Sequence, residues 1–89
     1  MSRTVVLVGA LDTKGAEFAF VKGLIEQRGV ETLTVDFGVL GESAFRPEVG
    51  RDEVARAGGG DLADLTSGDR KDLAMQTMAA GLTAVVRRL

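Results

Sequence analysis

Apolar positions along the chain fall into two short runs near the start and one helical stripe near the end, separated by polar and glycine-rich stretches. Thr4-Val5-Val6-Leu7-Val8 is mostly β-branched and ends at Gly9. Such a run predicts a strand buried on both faces, as in parallel sheets covered by helices. Residues 17–27 then carry Phe18, Val21, Leu24 and Ile25 at helical spacing, with Glu17, Lys22, Glu26 and Gln27 towards water and Gly29 placed as a C-cap. Thr32-Leu33-Thr34-Val35-Asp36 predicts a second strand, so the helix between the two becomes a right-handed parallel crossover. Residues 51–57 predict a short helix closed by Gly58-Gly59-Gly60. Asp61 caps one more turn as far as Leu65, and Thr66-Ser67-Gly68 breaks the chain again. Residues 69–89 form the last predicted helix, capped by Asp69, with Met75, Met78, Leu82, Val85, Val86 and Leu89 on one stripe.

These elements define the fold class as α/β: a Rossmann-like, three-layer fragment with a parallel sheet, a βαβ unit followed by helices. Two parallel strands are half of a doubly wound domain, whose sheet normally continues with a third strand after the last helix. Residues 1–89 are therefore expected to be the N-terminal part of a nucleotide-binding domain, incomplete at its C-terminus. Two alternatives are that residues 83–86 are themselves a strand, or that a partner chain completes the sheet.

Composition narrows the chemistry. The chain has 89 residues, 45% hydrophobic and 27% charged, with one Pro, which is the make-up of a folded globular protein with a modest core. A net charge of −2 offers no dedicated surface for nucleic acid or membrane, and neither is expected as a partner. The absence of Cys and His excludes disulfides, thiolate metal sites and His-dependent nucleophilic catalysis within these residues. The apolar runs are too short to span a bilayer and the opening residues lack a signal-peptide pattern, so a cytoplasmic setting is expected.

Candidate chemistry concentrates where the predicted strands end. Gly9-Ala10-Leu11-Asp12-Thr13-Lys14-Gly15 carries a carboxylate, a hydroxyl and a cation between glycines, just ahead of a helix. It matches neither the P-loop nor the dinucleotide fingerprint. What it offers is a generic anion site of backbone N–H groups, the Thr13 hydroxyl and the Lys14 ammonium at a helix N-terminus; the alternative is that Asp12 and Thr13 only cap the helix. Asp36 follows at the distance where βαβ nucleotide sites place an acid for ribose hydroxyls, although an aspartate at a strand end also starts turns. Asp12 and Asp36 together could hold Mg²⁺ through water. Phe37-Gly38-Val39-Leu40-Gly41 opens a long loop, either a cover for a ligand or a wall of the core. Asp69-Arg70 offers an arginine to an anion or a solvated ion pair, and Met75 and Met78 are expected to fill the core.

Val8-Gly9-Ala10-Leu11-Asp12-Thr13-Lys14-Gly15, Val35-Asp36-Phe37-Gly38-Val39-Leu40-Gly41, Arg51-Asp52-Glu53-Val54-Ala55 and Asp69-Arg70 occur in an order that resembles the N-terminus of the tomato mosaic virus resistance protein-like (Tm-one-like) family of ATP-binding proteins. The resemblance implies the opening portion of a longer protein with two Rossmann-like subdomains. It implies ATP bound in a cleft at the carboxyl edge of the sheet, with the loop at Asp12, Thr13 and Lys14 and the loop at Gly38, Val39, Leu40 and Gly41 as the matching positions; the reading of the residues themselves adds Gly9, Gly15 and Asp36 to the expected site, and Mg²⁺ as the accompanying cation. Expected partners are nucleotide, the remainder of the same polypeptide and a second copy of the chain. Two further readings stand beside it: a structural or protein-interaction domain without nucleotide, and an enzyme acting on a small anionic metabolite with Lys14 as electrostatic stabiliser.

Overall fold

The computed structural model describes residues 3–39, 41–63 and 71–89. Among them the element order is β1 (Thr4–Gly9), α1 (Leu11–Gln27), β2 (Glu31–Asp36), α2 (Arg51–Ala57) and α3 (Lys71–Arg88). β1 and β2 pair in parallel, with Thr4 opposite Glu31, Val8 opposite Val35 and Gly9 opposite Asp36. The α/β architecture with a βαβ start is thus present, and the alternative of a strand at residues 83–86 is corrected: they lie inside α3. The Asp69 cap, the Asp69-Arg70 pair and the 64–68 turn fall outside the described residues.

Because successive strand side chains alternate between faces, the register puts Gly9 and Asp36 on one face, and Val8 and Val35 on the other. The Phe18 ring of α1 occupies the space where a side chain at Gly9 would start, so α1 covers the Gly9 face. Val35 packs with Val49, Val54, Ala55, Met78 and Val85, so α2 and α3 cover the opposite face. The layers are therefore helix, sheet, helix. On its outer edge β2 is bridged by Val49: the Asp36 N–H donates to the Val49 carbonyl at 3.0 Å and the Val49 N–H to the Thr34 carbonyl at 3.1 Å.

Several expectations need correction. β1 is not buried on both faces: Val5, Val6 and Val8 are 39%, 41% and 37% exposed. α2 and α3 pack against Val35 of β2, and no described strand pairs with the far edge of β1. α1 begins at Leu11, not at residue 17, with a kink at Lys14 where φ is −119°. Its N-cap is Ala10, so neither Asp12 nor Thr13 performs the capping expected of them. The stripe on α1 is also narrower than its spacing suggests, since Val21 and Leu24 stay exposed. On α3 the buried positions are Ala74, Met78, Gly81 and Val85, while Met75 is 73% exposed and is not a core filler.

The reason lies in how α2 and α3 cross. A side chain at Gly81 would begin inside contact distance of the Val54 carbonyl oxygen, and one at Gly58 would meet the Thr77 carbonyl. Two glycines allow backbone to approach backbone. The face of α3 that turns inward is therefore centred on Gly81, not on the larger residues beside it.

Candidate functional site

Parallel pairing brings the Gly9 and Asp36 ends of the two strands to one rim, so the two loops singled out in the sequence meet there. The Asp36 carboxylate is fully buried between them. Its Oδ1 accepts from the Leu11 N–H at 3.0 Å and the Gly38 N–H at 2.9 Å. Its Oδ2 accepts from the Ser43 hydroxyl and from Arg51, at 3.0 Å from Nε and 2.9 Å from Nη2. Burial pushes the Asp36 carboxyl up, but the Ser43 hydroxyl, the Gly38 and Leu11 N–H groups and the Arg51 guanidinium outweigh it and hold the carboxyl below its ordinary value.

Arg51 also donates to the Gly41 carbonyl and, at 3.0 Å, to the Ser43 hydroxyl oxygen. Asp12 reaches across to the same loop: its Oδ2 accepts from the Gly41 N–H at 3.1 Å. The Ala44 N–H donates to the Leu11 carbonyl at 3.2 Å. A side chain at Gly38 would collide with the Asp12 carboxylate, so glycine there permits the two loops to close on each other. Residues 41–44 are thus clipped to the start of α1 from three sides, by Asp12, by the Leu11 carbonyl and by the Asp36–Arg51 pair.

Over this rim lies a cavity of about 300 Å³. One wall is Ala10, Asp12, Thr13, Phe37, Gly38 and Val39; the other is the α3 face of Ala74, Met75, Met78, Ala79 and Leu82. Most of its lining is apolar, with Asp12 and Thr13 supplying the side-chain polarity. A second, more open groove of about 550 Å³ sits at the amino-terminal ends of the strands, where Glu26, Glu31 and Glu48 line it. Glu26 there is held below its usual value by hydrogen bonds from Lys22 and Thr32, and Glu48 accepts the Thr34 N–H at 2.6 Å. Three carboxylates make that groove hostile to an anion, and among the described residues no cluster of three His, Cys, Asp or Glu could hold a metal.

The residues named from the sequence separate into three groups. Asp12, Thr13, Gly38 and Val39 line the cavity. Asp36, Gly9, Gly15 and Gly41 sit behind or beside it: Asp36 is consumed by the clip, Gly9 lies under Phe18, Gly15 under the Ala44 methyl, and Gly41 bonds Asp12 and Arg51. Lys14 is exposed and outside the lining, one residue beyond Thr13, and Leu40 falls outside the described residues. Asp36, read as an acid for ribose hydroxyls, does not face the cavity; Asp12 does. Sequence reasoning missed Arg51 and Ser43, whose partner Asp36 lies 15 and 7 residues away from them, and missed the α3 wall, because Met75 and Met78 read alike on one apolar stripe and only the structure separates the exposed one from the buried one.

A parallel sheet with helices on both faces and a cavity at the carboxyl ends of its strands makes this an α/β domain of the Rossmann-like class. Residues 3–89 match the family described as "Uncharacterised protein family (UPF0261) N-terminal domain", and the chain belongs to that family. It is 43% identical, over its whole length, to a UPF0261 protein of Clostridium tetani, and 36% identical over 99% of its length to UPF0261 proteins of Brucella suis and Brucella melitensis. It spans only 22% and 21% of those proteins. No solved structure matches the chain. These matches correct the Tm-one-like resemblance: the family found along the chain is UPF0261, and neither its description nor the names of these three relatives mention ATP. No helix among the described residues is long and apolar enough to cross a membrane.

Proposed function

We propose that the domain is a nucleotide-binding module of a longer protein, taking ATP with Mg²⁺ at the carboxyl edge of its parallel sheet. The observation that carries this is the position of the 300 Å³ apolar cavity, at the ends of both strands, where open α/β sheets dock their ligands. The base lies against Met75, Met78 and Leu82, and the Asp12 carboxylate accepts from the ribose hydroxyls. The phosphates extend past the Thr13 hydroxyl towards Lys14 at the rim, with Mg²⁺ offsetting their repulsion by Asp12. A cytoplasmic setting, where nucleotides are held, belongs to the same proposal.

Met75 provides the cleanest test because it lines the cavity yet is largely exposed, so the fold does not depend on it. In the full-length protein, Met75→Glu is expected to abolish MgATP binding measured by titration calorimetry while leaving the melting temperature unchanged. Lys14→Ala should weaken binding by roughly fivefold, the equivalent of about 1 kcal/mol for an exposed charge contact. Wild-type protein that takes up no MgATP, or Met75→Glu protein that binds as well as wild type, refutes the proposal.

A further inference from the structure

β1 ends its sheet in a way that isolated edge strands avoid. The Glu31 N–H donates to the Arg3 carbonyl at 3.0 Å and the Phe37 N–H to the Gly9 carbonyl at 3.1 Å, so the odd-numbered residues of β1 turn their backbone groups towards β2. Thr4, Val6 and Val8 therefore aim theirs at the open edge. Exposed edges are normally guarded by a lysine, a proline, a bulge or a covering loop. β1 reads Thr-Val-Val-Leu-Val-Gly and has no charged residue or proline, and its register with β2 runs without a bulge. Side chains flank the edge on both faces: Val6 and Val8 on the α3 face, Val5 on the α1 face, each more than a third exposed.

The opposite edge of the sheet is already taken, because Val49 pairs with Val35 on the far side of β2. Topology then selects the occupant of the open edge. The β1–α1–β2 crossover runs with α1 on one face; α3 lies on the other. A chain that leaves β2, passes through α3 on that opposite face and returns beside β1 makes a second right-handed crossover, the handedness nearly all such connections adopt. The UPF0261 relatives supply the chain needed, since the matched region is an N-terminal domain covering about a fifth of their length.

We propose that the open edge of β1 receives a parallel strand from the polypeptide that follows α3 in the full-length protein, making β1 a central strand. The incoming strand is short and rich in β-branched residues, with alternate side chains closing over Val5 on one face and over Val6 and Val8 on the other. This inference is independent of nucleotide binding.

Amide hydrogen exchange on the full-length protein, read residue by residue, tests it. Thr4, Val6 and Val8 are expected to exchange at least about 100-fold slower than free amides, as Val5 and Leu7 do, and to keep that protection on dilution. A photo-reactive residue at Val6 should cross-link within its own chain, to a peptide lying within about a dozen residues of α3, the combined length of a typical connection and strand. Rapid exchange at Thr4, Val6 and Val8 overturns the proposal even if the Val6 variant fails to fold. So does protection that disappears on dilution, or a cross-link between differently labelled copies, because a second copy is then the occupant. A cross-link to a distant part of the same chain overturns it as well.

Discussion

Asp36 shows how one residue can look like a ligand contact and serve as a fastener. Its carboxylate takes the Leu11 N–H at the start of α1, where an incoming anion would otherwise be drawn by the helix dipole. The internal carboxylate already fills that role, so the phosphates of the proposed nucleotide would have to lie further out, beyond Thr13. Because Asp36 is held below its ordinary pKa in the fold, its contribution to stability is complete above about pH 4, the unfolded value, and is lost as pH falls through the lower folded value. Asp36→Asn is expected to flatten the acid limb of the stability curve below about pH 4 in urea denaturation of the full-length protein. Asp36→Ala should cost about 3 kcal/mol at pH 7, since it leaves Arg51 partly buried without its counter-ion. An Asp36→Ala protein as stable as wild type would show that the clip holds nothing.

At the scale of elements, α3 is positioned by what it lacks. Gly81 lets its backbone rest on the Val54 carbonyl of α2, and this contact turns Met78 and Val85 inward while leaving Met75 at the mouth of the cavity. Gly81→Ala forces the two helices apart. It is expected to destabilise the full-length protein by about 1–3 kcal/mol in chemical denaturation, despite alanine's better helix propensity. Gly23, on α1, has open space where a methyl group would stand, with nothing within 4 Å, so Gly23→Ala should be neutral or stabilising by up to about 1 kcal/mol. The opposite signs of two Gly→Ala changes, both within helices, separate close approach from propensity. Equal effects would place the α2–α3 crossing elsewhere.

For the whole molecule, the proposed nucleotide binding would couple to stability through the same rim. α1, residues 37–39 and 41–44, and α3 all border the cavity or its clip, so an occupant that binds only the folded state would raise stability by mass action. MgATP at 100 times its dissociation constant is expected to stabilise the full-length protein by about 2.7 kcal/mol, seen as a rise in melting temperature. Magnesium chloride alone should leave the melting temperature unchanged. A shift of the same size with the salt alone would assign the effect to ionic strength.

The chain's own pattern determined the strands, their parallel pairing and the meeting of residues 9–15 with residues 36–39 and Gly41 at one rim. Those features follow from local periodicity and from a helix between the strands long enough to carry the chain back to the edge where β1 began. Only the tertiary structure decided which carboxylate faces the cavity. Asp12 and Asp36 have the same side chain, and their roles diverge because Leu11, Gly38, Ser43 and Arg51 converge on Asp36 from separate positions in the chain. It also decided that β1 is half exposed. An apolar run specifies that a strand seeks cover on both faces, but how much cover it receives depends on which elements reach over it, and among the described residues α2 and α3 reach over β2.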